Sequence, residues 1–251
     1  MELIILIASA FITSSISAVL GMGGGIILLG IMAIMIPEGY MVIALHGIIQ
    51  LISNTTRSYV FRKHIKKNLI KEFSIGVLLG ATVSIVILLI LIQSFQVSSA
   101  NDIKVDILKP IIGIFIIWYL FFKKKSSDTT VNTFIPVGFI SGLSSIFVGA
   151  TGPLIAPFFI DKGLIKEDII ANKATCQMIT HITKIPLFIY FFNVSYIEQY
   201  NILLPLILSV FIGTFFGKKL LRFISEKIFI RIFKIILFII AIRLIFSYQI
   251  H

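Results

Sequence analysis

Two short sets of polar residues, set inside apolar stretches, hold most of the chemistry available to this sequence. His46, Gln50, Asn54 and Arg57 are spaced i, i+4, i+8 and i+11, and Lys173, Gln177, His181 and Lys184 repeat that spacing. At roughly 100° per residue each set falls within about 80° of arc, one narrow face of a helix. Ser53 shares the first face and Thr180 the second. Ionisable groups at membrane depth are costly and usually face a bundle interior or a water-filled path. Ammonium, guanidinium, imidazole, amide and hydroxyl groups make a donor-rich set, suited to holding an oxyanion. No Asp or Glu stands in the middle of an apolar stretch; Glu38, Glu72, Asp106, Glu167 and Asp168 all lie near ends. A cation carrier generally needs intramembrane carboxylates or many oxygen ligands, so the interior charge favours an anion. Blander roles stand beside this one. Arg57 and Lys184 are also placed to snorkel toward an interface, and His46, His181, Gln50 and Gln177 to bond between helices.

A second feature interrupts the apolar stretches themselves. Gly21–Met22–Gly23–Gly24–Gly25 separates Ile4–Leu20 from Ile26–Ile36. Successive glycines continue a helix only at high entropic cost, and open backbone at membrane depth is tolerated only where it is buried in protein or lines a cavity. The break would aim the first N–H groups of the following half-helix, at its positive dipole end, into that cavity. That is an anion site in outline; close helix packing is the alternative use of the glycines. Gly149, Thr151 and Gly152 form a second break, with Pro153 at the first position of the next half-helix, where a missing N–H costs nothing. Gly23, Gly24, Gly25, Gly149, Thr151 and Gly152 therefore join the eight stripe residues as candidate substrate contacts.

The elements that must position these groups are membrane spans. The chain has 251 residues, of which 58% are hydrophobic and 13% charged, a balance no soluble domain of this length shows. Hydropathy places spans near Leu3–Leu20 with Ile26–Ile36, Met41–Phe61, Phe73–Ile92 and Val105–Phe122. After a polar linker come Phe134–Val148 with Leu154–Ile160, Asp168–Phe192, Ile202–Leu220 and Ile228–Phe246. Ile26–Ile36 and Leu154–Ile160 are too short to cross and read as half-helices. The formal net charge of +11 sits in a few short loops, which the positive-inside bias explains without nucleic acid. Trp118 and Tyr119 read as interfacial anchors. One cysteine, Cys176, excludes an intramolecular disulfide and a cysteine metal cluster. No cofactor is implied. The first residues lack the basic region and cleavage site of a signal peptide, so Ile4–Leu20 is expected to be retained.

The chain also repeats itself. Gly25 and Gly152 lie 127 residues apart, and the same offset sets His46 on Lys173, Gln50 on Gln177, Asn54 on His181 and Arg57 on Lys184. Residues 1–122 and 133–251 read as two repeats joined by a cytoplasmic linker, 123–132. Arg57, Arg62, Lys63, Lys66, Lys67 and Lys71 follow the second helix of the first repeat, whereas the matching loop Asn193–Asn201 has no Lys or Arg. The next loop reverses, with one Lys against two Asp in Gln93–Asp106 but Lys218, Lys219, Arg222, Lys227 and Arg231 at its counterpart. Opposite bias at matching loops places them on opposite sides. The repeats are then inverted, each opening with a broken-helix hairpin followed by three transmembrane helices, with both termini outside. Lys123, Lys124 and Lys125 join the cytoplasmic set, as does the mixed-charge stretch Asp161–Asp168, with Lys162 and Lys166 against three acids.

Two hydrophobic halves, each opening on a glycine break, resemble the TauE/SafE family of sulfite exporters along nearly the whole chain. GMGGGIILLG and VGATGPLIAP carry the resemblance. It departs where the first half has Gly30 against Pro157, and the second has Ala150–Thr151 against Gly23–Gly24. The resemblance implies transport of sulfite, sulfonates or related sulfur anions across the cytoplasmic membrane. The expected protein is an all-α, inverted-repeat secondary transporter and no enzyme. Its small anion is held between the breaks and exchanged by alternating access. A carrier or channel for another small anion such as a carboxylate is the alternative, with an intramembrane enzyme further behind. A coupling proton, for which His46 and His181 have suitable reference pKa values, and a coupling sodium ion both stay open.

Overall fold

The computed structural model describes residues 2–97, 100, 108–121, 133–160 and 164–246. The linker 123–132 with its three lysines lies outside the described residues, as do Asp106 and Asp161. Among the described residues the chain forms helices and no strand, the all-α class that composition dictates. In order they are α1 (Glu2–Leu20), α2 (Gly24–Met35), α3 (Gly39–Val60), a 3-10 turn (Arg62–His64), α4 (Lys67–Phe95) and α5 (Leu108–Phe121). Then come α6 (Ile135–Val148), the single turns α7 (Gly152–Ile155) and α8 (Pro157–Ile160), α9 (Lys166–Phe192), α10 (Tyr200–Leu221) and α11 (Glu226–Phe246).

Three of these, α1, α4 and α10, are long and apolar enough to cross a membrane on those grounds alone. The 29 residues of α4 measure about 43 Å at 1.5 Å per residue, longer than a ~30 Å hydrocarbon core. Its first turns, with Lys67, Lys71 and Glu72, therefore reach past the apolar segment, which is why the helix begins earlier than hydropathy places it. Exposed side chains on α4 and α10 are largely apolar, among them Leu78, Leu79, Leu89, Leu204, Phe211 and Ile212, while His46, Asn54, Lys173 and Lys184 are buried. That arrangement, polar inside and apolar outside, suits lipid as solvent.

The first break is shorter than the run of glycines. Only residues 21–23 leave the helix, with Gly21 at φ +72° and Gly23 at φ +94°, a region that favours glycine. Gly24 and Gly25 are already helical, and their lack of a side chain serves packing. A Cβ on Gly24 would fall on the Thr13 carbonyl oxygen of α1. So α2 doubles back along α1, and Met32 shares an apolar cluster with Leu6 and Ala10. The half-helix after the second break is itself divided. Ala156 bonds back to Gly152, but Pro157 has no N–H to give, and the next bond is the tighter Phe159 to Ala156. Gly30 stands at the matching place in α2, which runs unbroken.

Four close pairings build the bundle. Gly76 and Gly80 of α4 meet the Ile135 and Phe139 carbonyls of α6, and Gly138 and Gly142 of α6 meet Phe73 and Val77 in return. Gly213 and Gly217 of α10 lie against Phe11 and Ser15 of α1, where Ser15 Oγ donates to the Gly213 carbonyl at 3.0 Å. Ser209 Oγ donates to Ile7 at 2.7 Å. Numbers rise together in both pairs, so both run parallel. In α3 and α9 the numbers run opposite: His46 faces His181, and Ser58 bonds Thr175 at 3.0 Å. The α5–α11 pair is antiparallel too, with Gly113 near Ala241 and Phe121 against Phe238.

Candidate functional site

The two breaks meet at the centre of the bundle. A Cβ on Gly21 would touch Ile170 of α9, and one on Gly149 would touch Ile43 of α3, so each break leans on the polar helix of the other block. Between them lies a cavity lined by Gly23, Gly25, His46, Gln50, Arg57, Gly152, Lys173, Gln177 and His181, together with Ser17, Met22, Ile26, Ala150 and Pro153. Its volume is about 20 Å³, enough for about one water. Any solute larger than water needs the walls to part.

Helices α3 and α9 present their stripes to this cavity because each is buried on that face and the breaks leave backbone groups there to satisfy. His46 Nε2 donates to the Gly25 carbonyl at 2.8 Å, which leaves Nδ1 buried and without a partner. Lys173 Nζ donates to the Gly21 carbonyl at 3.1 Å and to Gln177 Oε1 at 3.0 Å, so an α9 side chain holds the α1–α2 break. Gln50 lies against Gly25, where a Cβ would stand 3.2 Å from its Oε1. Gln177 lies against Gly152, where a Cβ would stand 2.6 Å from its Nε2. Both glycines thus make room for an amide. The rings of His46 and His181 are edge-on, 6.4 Å between centroids, and His181 Nδ1 also lacks a partner.

Arg57 donates to the Ser17 carbonyl at 3.2 Å and to Asn54 Oδ1 at 2.5 Å. Lys184 donates to the Gly149 carbonyl at 3.2 Å and lies over the Phe188 ring. Arg57, Lys173 and Lys184 are 1–2% exposed, and among the described residues no carboxylate pairs with any of them. Their carbonyl partners lie at or just past the C-terminal ends of α1 and α6, each end worth roughly −0.5 charge. Three basic side chains against two such ends leave the centre rich in hydrogen-bond donors.

Not every candidate reaches the cavity. Gly24 packs on α1, Asn54 supports Arg57, Lys184 and Gly149 bond one another behind the wall, and Thr151 is buried beside it. Ser17, Met22, Ile26, Ala150 and Pro153 line the cavity without being among the candidate contacts named from the sequence. Ser17, one of a cluster with Thr13, Ser14 and Ser15 inside an apolar helix, carried a readable signal; the others follow from where the backbone turns. Among the described residues no group of His, Cys, Asp and Glu is placed to hold a metal ion.

Buried cations around interrupted helices, inside a sheath of lipid-facing apolar side chains, define a multi-pass membrane protein with a polar interior site. The family model of the sulfite exporter TauE/SafE matches residues 6–244, and the chain belongs to that family of membrane transporters. Comparison with curated proteins and with solved structures returns no match.

Proposed function

We propose that the chain is a secondary transporter of a small sulfur-containing anion, sulfite or an organosulfonate first, bound between the two breaks. The observation that carries this reading is the lining of the central cavity: Arg57, Lys173, two histidines and two amides, with no carboxylate among them. The anion would take donors from Lys173, Arg57, Gln50 and Gln177, and from the first N–H groups of α2, which no side chain caps. Asn54, Lys184, Thr151, Gly24 and Gly149 would act from behind by fixing those groups. No pair of residues in the lining makes a nucleophile with an acid-supported base, which favours transport over catalysis.

The packing supports the inverted plan. A two-fold axis in the membrane plane sends α1 to α6 and α4 to α10, so the parallel α1–α10 pair requires a parallel α6–α4 pair. It also requires α3–α9 and α5–α11 to be antiparallel. All four relations are present. Alternating exposure would follow from rocking one group of helices against another. Since each of the four closest pairings joins a helix of 1–122 to one of 133–251, each moving group would draw helices from both halves. The positive-inside rule then puts the Arg62–Lys71 face in the cytoplasm and both termini outside. A proton, if coupled, would enter on the free ring nitrogen of His46, Nδ1, or on the ring of His181.

Flux into proteoliposomes, measured in turn for sulfite, thiosulfate, sulfate, a small sulfonate and acetate, tests the reading. Saturable movement of one sulfur anion is the expected result. Acetate moving in preference would discard the sulfur assignment, and no flux of any anion would discard the donor site.

A further inference from the structure

At the basic end of the bundle, sharing no lining residue with the central cavity, a cleft of about 410 Å³ opens between the 3-10 turn and the end of α10. Arg62, Lys63, His64, Lys218 and Arg222 line it, with Glu167 the single acid. We propose that this cleft binds the phosphate headgroup of an anionic phospholipid. The proposal stands apart from the identity of the transported anion.

The cations are held in place and remain available. Lys218 Nζ donates to the Val60 carbonyl at 3.1 Å, bridging the ends of α10 and α3, and lies over the Phe61 ring at 5.6 Å. The Arg62 guanidinium lies 4.6 Å over Tyr59 and that of Arg222 4.7 Å over Phe223. A guanidinium resting on a ring still offers edge N–H groups to a phosphate. Tyr59 is 62% and Phe223 72% exposed, so aromatic surface stands beside charge at the mouth of the cleft. That is what a lipid needs, with charge for the phosphate and apolar surface for the chain beginning below it. A free anion would use the charge alone. The positive-inside bias alone accounts for basic residues on this face; it does not account for a walled cleft whose arginines rest on exposed rings. At the other end of α9, residues 193–201 carry no Lys or Arg.

The test is thermal unfolding of the detergent-solubilised full chain with added phosphatidylglycerol, phosphatidylcholine or inorganic phosphate. Phosphatidylglycerol should raise Tm by roughly 5–10 °C at a hundred-fold excess over Kd, and phosphatidylcholine and phosphate should not. The double variant Arg62→Gln/Arg222→Gln should lose that shift. Lys71→Gln/Lys227→Gln removes the same charge outside the cleft and should keep it. Equal loss in both double variants would reduce the effect to diffuse surface charge and overturn the proposal. A shift reproduced by inorganic phosphate would also overturn it, in favour of a free-anion site. Native mass spectrometry of the wild type reads the same question without a variant: phosphatidylglycerol retained longer than phosphatidylcholine supports the cleft, and equal retention overturns it.

Discussion

Lys173→Met separates a binding role for Lys173 from a merely structural one. Methionine keeps most of the side-chain length and removes the charge. In the folded protein Nζ is buried and spends its hydrogen bonds on the Gly21 carbonyl and Gln177. Losing them leaves two acceptors unpaired, at about 1–3 kcal/mol each. Against that, the variant no longer buries a basic group without a carboxylate partner, itself a cost of several kcal/mol. The two effects nearly cancel, so Tm should stay within a few degrees of wild type. The effect on the anion does not cancel. A charge-assisted hydrogen bond worth about 1.5–3 kcal/mol disappears, which at 1.36 kcal/mol per decade raises the KM for transport roughly 10- to 150-fold. The assay is initial flux into proteoliposomes against substrate concentration, with unfolding followed on the same preparation. An unchanged KM would remove Lys173 from the site. A large fall in Tm with the KM of surviving protein unchanged would make the lysine a structural tie between α9 and the α1–α2 break.

Other substitutions probe the supports. Gly152→Ala drives a Cβ to 2.6 Å from Gln177 and Gly25→Ala to 3.2 Å from Gln50, so flux should fall further in the first than in the second; the reverse order would contradict the geometry. Gly80→Leu puts its Cβ on the Phe139 carbonyl of α6 and should cost about 1–3 kcal/mol or more by overpacking. Gly39→Leu, with nothing within 4 Å of the added carbon, is the matched control, and equal Tm values would refute the α4–α6 contact. Asp168→Asn cuts the contacts to His64 at 3.0 Å and Lys66 at 3.1 Å. These are partly exposed pairs worth about 0.2–1 kcal/mol, so a drop in Tm of a few degrees that shrinks in 1 M salt is expected.

The membrane class and most helix positions were legible because long apolar stretches leave few alternatives. The stripes were legible because four polar residues at i, i+4, i+8 and i+11 have no other reason to share a face. The glycine run was harder. It marked the right place and the wrong length, since Gly24 and Gly25 serve helix packing and an amide, contacts made by residues up to 25 positions away. Gly30, not Pro157, is the departure in the motif, and the consequence of Pro157, a half-helix split into two turns, is local chemistry the sequence did contain. Pairing among helices was out of reach. Nothing in Gly76, Gly80, Gly138 and Gly142 separately says that they close on each other, because small-residue spacing recurs in α10 as well.

The match between the two stripes is one of position and not of residue type, and the differences fall where the two breaks meet. On the first stripe His46 bonds the break of its own block, at Gly25. On the second Lys173, its counterpart, reaches across to the other block, at Gly21. Arg57 and Lys184 occupy a matched pair, and each ties down a carbonyl at the end of its own first helix. On the proposed reading Lys184 holds the framework from behind the wall and Arg57 from the wall itself, where it still faces the anion, while Lys173 is the group whose bonds an arriving anion can replace. Drawing Lys173 from Gly21 would free the α1–α2 break from α9, linking occupancy of the site to movement of that break against α9. The counterpart swap Lys173→His should therefore slow exchange more than Lys184→Arg, which keeps a donor for Gly149. Flux from the two variants, measured beside Tm, checks this, and equal rates in both would place the coupling elsewhere.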